Sequence, residues 1–183
     1  MKNLIKRNIN GSKVLSLFIL TNIVYAFMLL VTIPKVMNFS GGMKLLDMLP
    51  AGYNARYVKL LFGSLGEKGR EVYLFNQIPV DMVYPFLFGI TYCLVLAYFL
   101  DKLKKLNSPL IYLCLLPVLA GVFDYGENIG IIKMLNSYPN ISNILIETTN
   151  ISTILKSVFT TIYFVVLLVT MLAVGINKLR SRQ

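Results

Sequence analysis

The chain has no histidine and no tryptophan, only two cysteines, and just eight acidic residues among 183. Without histidine, the commonest general base near neutral pH and the commonest metal ligand are both missing. Any proton chemistry therefore falls to Asp, Glu, Lys, Tyr or water. Cys93 and Cys114 lie in apolar runs and form no C-x-x-C pair. A thiol–disulfide mechanism needs an attacking and a resolving thiol, usually close in sequence, so that class is disfavoured. The two cysteines read as small apolar packing residues. No metal-ligand set or cofactor motif is visible.

What is abundant is hydrocarbon. The sequence is 56% hydrophobic, with a mean hydropathy of +0.69. That composition belongs to an integral membrane protein. The net charge of +10 resembles a nucleic-acid signal. The basic residues flank apolar runs, however, where they orient the chain and meet anionic headgroups. Membrane lipids, not nucleic acid, are the expected partners.

A transmembrane helix needs about 20 mostly apolar residues. Four segments qualify, at about 14–36, 80–100, 109–132 and 153–177. They predict an all-α, four-helix membrane bundle forming a single domain. The first segment follows a basic start, but its apolar run exceeds the h-region of a signal peptide and predicts a retained helix. Ten of the 18 basic residues fall in three short pieces: Lys2, Lys6, Arg7 and Lys13; Lys102, Lys104 and Lys105; Lys178, Arg180 and Arg182. With four spans, all three pieces share one side, and the positive-inside rule makes that side cytoplasmic. The Ile/Lys/Asn-rich composition suggests a bacterial inner membrane. The first outer connection, about 37–79, is too long for a bare turn. Helical spacing of Tyr57, Leu60, Leu61 and Leu65 after an Asn54 N-cap predicts one short amphipathic helix. The GEKG break and the following REVYLFNQI predict a second. The 134–152 connection is expected to be polar, with NILI resting at the interface. Pro117 is expected to kink the third helix, and Thr21 and Asn22 to bond a neighbouring helix.

The segment VFDYGENIGII, 122–132, places two carboxylates in an otherwise apolar span. Asp124, Glu127 and Asn128 are spaced i, i+3 and i+4, so they share one helix face. At 1.5 Å per residue Asp124 lies about 22 Å along the third span and Glu127 about 27 Å, both in its outer half. Asp81 and Tyr84 sit in the first turns of the second span, and Lys156 near the outer start of the fourth. Arg70 and Tyr73 come from the loop above. Intramembrane charges are costly, face the bundle interior and pair with one another. Asp81, Asp124 and Glu127 against Lys156 and Arg70 is close to the balance a buried network requires. The eight residues Asp81, Tyr84, Asp124, Glu127, Asn128, Lys156, Arg70 and Tyr73 are the candidate ligand-binding set. A Lys156–Asp124 clasp of purely structural value is the plainer alternative.

The combined pattern Y-x-x-x-L-x-x-x-L-G-x-x-G-R-x-x-Y (57–73), D-x-x-Y-P (81–85), F-D-Y-x-E-N (123–128) and T-x-x-K (153–156) resembles small four-span bacterial membrane proteins with no established activity. The resemblance implies an architecture and no reaction. The reading that follows is an outward-facing intramembrane pocket that binds, senses or transports an amphipathic molecule or a cation. The rival is a membrane-embedded enzyme acting on a lipid or isoprenoid by carboxylate acid/base chemistry, with Lys156 and Arg70 holding a phosphate or oxyanion. A structural or partner-binding subunit is the third class.

Overall fold

Among the described residues, four helical stretches are long and apolar enough to cross a bilayer: Gly11–Met37, Ala55–Lys102, Pro109–Ser137 and Asn143–Arg180. The computed structural model describes residues 2–180, with side-chain surroundings from residue 4; Arg182 of the basic C-terminal piece lies outside the described residues. Among the described residues there is no strand. The chain is an all-α, multi-pass bundle, as its composition requires.

A short helix α1 (Lys2–Asn8) leads into α2 (Gly11–Phe27). The first span then passes through a π-helical turn, Met28–Thr32, into α3 (Ile33–Met37). A second π turn, Tyr73–Gln77, joins α4 (Ala55–Val72) to α5 (Ile78–Lys102). Both turns end two residues before a proline, at Thr32-Ile33-Pro34 and Gln77-Ile78-Pro79. A proline ring clashes with the carbonyl four residues back and offers no N–H. A widened i→i+5 turn just upstream relieves that conflict, and the N–H groups of Ile33 and Ile78 bond back to Met28 and Tyr73.

The third span opens as a 3-10 segment, Pro109–Leu115, and continues as α6 (Leu116–Ser137). Pro117 is therefore in the first turn of α6, where its missing N–H costs nothing. The proline marks a change of helix type, from 3-10 to α, rather than a position inside a continuous α-helix. The fourth span belongs to α7 (Asn143–Arg180), 38 residues long. The long polar connection expected over 134–152 shrinks to residues 138–142, because both flanking helices run further. NILI is the first turn of α7, not an interfacial loop.

In the cap, Asn54 accepts from Tyr57 N at 2.9 Å, the expected N-cap. Gly66 breaks the helix with φ 61° and ψ −175°, a conformation closed to most L-residues. Helices do stand on both sides of this break. The second is not free-standing: it runs through the π turn straight into the second span.

The two ends of the bundle have separate apolar cores. One, at the cap end, joins Leu45, Leu46, Phe62 and Tyr73 to Ile131, Met134 and Ile146. The other, toward the basic end, contains Phe88, Tyr92, Leu96, Ile111, Cys114 and Tyr163. Asp81 and Asp124 lie in the layer between them. Helices α5, α6 and α7 pack in sequence order. Close approach rests on glycine: a methyl group on Gly121 would stand 2.8 Å from the Pro85 carbonyl oxygen, and one on Gly130 would overlap the Thr149 side chain. The first span leans on α5 through Thr21–Thr91, 2.7 Å, and Tyr92–Asn22, 3.4 Å, as the two polar residues of that span predicted. Among the described residues, α2 and α7 share no extended packed face.

Candidate functional site

Pro85 organises the centre of the site. In α5 the carbonyl of Asp81 would bond the N–H of residue 85, which proline lacks. The Asn128 amide fills the gap, its Nδ2 donating to the Asp81 backbone oxygen at 3.0 Å. The D-x-x-Y-P and F-D-Y-x-E-N stretches are thus complementary parts of one helix–helix joint. Among the described residues, the Oδ1 of Asn128 is buried without a hydrogen-bond partner.

One helical turn away, Lys156 of α7 reaches back to α6. Its Nζ stands 3.2 Å from Asp124 Oδ1 and also bonds Glu127 Oε2. Glu127 is fully buried, and its second oxygen accepts from Thr153 Oγ1 at 2.6 Å. The Tyr53 hydroxyl lies 3.4 Å from the same Thr153 oxygen. Threonine has one proton, and the short contact gives it to the carboxylate; the Tyr53 oxygen is the longer, weaker acceptor for the same hydroxyl. Burial pushes the Tyr53 phenol well above its ordinary range, which keeps it protonated. Tyr53 is held from behind, its backbone N–H donating to Asn150 Oδ1 at 2.7 Å.

A further acid arrives from the cap, and the sequence did not single it out. Asp47 accepts from Tyr73 Oη at 3.2 Å and from Gln77 Nε2 at 3.4 Å. Thr32 donates to the Gln77 side-chain oxygen, so Asp47 is linked to both π turns. Burial raises the Asp47 carboxyl to about 6, the charge of Glu127 adding to the effect and Lys156 opposing it. Asp47 is the one acid before residue 67, set between Leu45, Leu46, Met48 and Leu49. An acid amid that many apolar neighbours was the available signal.

These groups border a cavity of about 460 Å³, the size of a small-molecule site. Asp47, Asp81, Asp124 and Lys156 form its polar side; Tyr25, Met28, Leu29, Ile33, Tyr84 and Phe88 form its apolar side. Asp81 is only 4% exposed. Among the described residues its carboxylate has no hydrogen-bond or ion-pair partner. It faces the cavity unpaired.

Of the eight expected residues, Asp81, Tyr84, Asp124 and Lys156 border the cavity. Glu127, Asn128 and Tyr73 stand behind it, holding Lys156, the Asp81 backbone and Asp47 respectively. Arg70 is the clear correction. Its guanidinium donates to the Phe62 carbonyl at 2.9 Å and lies 4.2 Å over the Tyr138 ring. The break at Gly66 turns this part of α4 so that Arg70 serves the cap, not the acids. The expected near-balance of charge goes with it. Among the described residues, Asp47, Asp81, Asp124 and Glu127 face Lys156 alone, three formal negative charges in excess.

No protein-family model, no curated protein and no solved structure matches this chain.

Proposed function

We propose that the protein binds a cation inside the membrane, with Asp81 as the anchoring carboxylate. The observation that carries this is the unpaired, buried Asp81 at a cavity where acids exceed bases by three. A carboxylate inside a membrane is costly in its ionised form when it lacks a partner; a bound cation supplies that partner. Lys156 does not fill that role, since Asp124 and Glu127 already occupy it. Among the described residues no three acidic side chains converge closely enough to ligate one metal ion, which favours an organic cation over a bare metal. Tyr25 and Tyr84 stack at 5.4 Å beside the cavity, and ring faces attract ammonium groups.

The distribution of Lys and Arg supports cytoplasmic termini, with the cavity then in the outer half of the membrane. A bacterial inner membrane is the setting that composition and motif resemblance favour. The enzymatic alternative loses support: Arg70 is remote and Lys156 saturated, so neither is available to hold a phosphate or oxyanion.

The test is charge selectivity at constant tail. In a neutral maltoside detergent, dodecyltrimethylammonium should raise the unfolding midpoint and dodecyldimethylamine oxide, whose head is neutral overall, should not. Asp81→Asn should remove at least tenfold of the cation's affinity. Equal binding of the two compounds would defeat the reading.

A further inference from the structure

The cavity's exposed lining says where its ligand comes from. Asp81 and Asp124 are buried, whereas Tyr25 and Leu29 are each 42% exposed, and Thr161 and Pro50 are exposed as well. Pro50 belongs to the cap. The other three flank the seam between the first and fourth spans, which share no extended packed face. Tyr25 lies about 21 Å from Gly11 and Thr161 about 25 Å from Lys178 at 1.5 Å per residue. Both depths fall within the apolar length of their spans, so the gap opens into hydrocarbon rather than into the headgroup layer.

The seam is closed on the basic side of the cavity. Phe88, Tyr92, Tyr163 and Phe164 form an aromatic plug, with ring centroids 4.7–6.4 Å apart. On the cap side Met48 and Pro50 roof it. What remains is a lateral window with carboxylates at its inner end and Leu29, Ile33 and Met28 along one wall.

Building on the cation reading above, we infer that the ligand is a single-chain amphiphile with an ammonium head, which enters sideways from the bilayer between α2 and α7. The head meets Asp81 beside the Tyr25–Tyr84 pair. The apolar chain lies along Leu29 and leaves through the seam past Thr161. A small hydrophilic cation would have the charge but nothing for the apolar wall. A neutral or anionic lipid would fit the wall and leave Asp81 unpaired.

The experiment uses the full chain in phosphatidylglycerol nanodiscs, whose lipid has no ammonium of its own. Tetramethylammonium and dodecyltrimethylammonium are compared by competition, and a tail-diazirine analogue of the latter maps the chain by photo-crosslinking. The expected result is at least tenfold tighter binding of the long-chain cation, with crosslinks on Leu29, Ile33 or Thr161. Leu29→Trp and Thr161→Trp should slow its association several-fold. Crosslinking in the unmodified protein keeps the test valid if a Trp variant misfolds. If tetramethylammonium binds as tightly, or crosslinks fall on Pro50 and the cap surface, the lateral amphiphile is overturned while the cation reading stands. If neither cation binds, both readings fall.

Discussion

Asn128 donates its side-chain amide to the backbone oxygen of Asp81, the carbonyl that Pro85 leaves without its helical partner. A side chain of α6 thus repairs the backbone of α5 at the depth where Asp81 faces the cavity.

This joint can be tested through its cause. Leaving a buried carbonyl unpaired costs about 1–3 kcal/mol. Asn128→Leu also removes the unpartnered Oδ1, which offsets part of that, so a net loss near 1 kcal/mol is expected. Pro85→Ala restores an N–H at position 85, and the Asp81 carbonyl can then be satisfied within α5. In that background Asn128→Leu should cost nothing or stabilise. A thermal-unfolding double-mutant cycle measures the coupling; equal losses in both backgrounds would dissociate Asn128 from the proline.

The clasp of Lys156 gives the largest expected stability effect. Lys156→Met leaves Asp124 and fully buried Glu127 without a counter-charge, a loss of about 3–5 kcal/mol in the buried limit. Asp124→Asn should cost less, because Lys156 keeps its bond to Glu127. The triple change Lys156→Met, Asp124→Asn, Glu127→Gln should recover much of the Lys156→Met loss, since a neutral cluster needs no partner. Strictly additive losses in detergent unfolding would show that the three do not act as one unit.

Much of this site could be read before the structure, because a helix is a ruler. The fixed rise put Asp124, Glu127 and Lys156 at one depth, and the i, i+3 and i+4 spacing put Asp124, Glu127 and Asn128 on one helix face. Thr21 and Asn22 found partners on α5 for the same reason. The two misses within the site, Asp47 and Arg70, have one physical origin: residues off the ruler. Asp47 sits in a single 3-10 turn, Leu46–Met48, whose position is set by the burial of Leu45 and Leu46, not by any periodicity. Arg70 follows Gly66, whose positive φ resets the helix phase. Charge balance, computed with Arg70 included and Asp47 left out, erred by two charges. The connection before α7 was misjudged because polar composition outweighed a helical signal, and five residues suffice to join α6 to α7.

Orientation is a separate prediction. In a background with Cys93→Ser and Cys114→Ala, single cysteines at the exposed positions Glu67 and Asn107 report the two ends of the bundle. A membrane-impermeant maleimide on intact cells should label Glu67→Cys and leave Asn107→Cys unlabelled until the membrane is permeabilised. The reverse pattern would move the cavity to the cytoplasmic half of the bilayer.

Asp47 makes the site responsive to pH, with a sign that follows from its surroundings. Burial, then the charge of Glu127, raises its carboxyl from 3.8 to about 6, against the pull of Lys156 and the Tyr73 hydroxyl. Between about pH 4 and 6 the folded protein therefore holds a proton that the unfolded chain has released. Stability from this group is greatest at the acid end, falls as pH rises through that window, and is flat above it. Asp47→Asn cannot titrate, so the difference between wild-type and variant unfolding midpoints should change across that window and be constant above it. Ligand binding should move the opposite way: once ionised, Asp47 adds a negative charge to the cavity wall, so a bound cation gains affinity from pH 5 to 7. Parallel midpoint curves, or an affinity rise that persists in Asp47→Asn, would transfer the effect to Asp81 or Asp124.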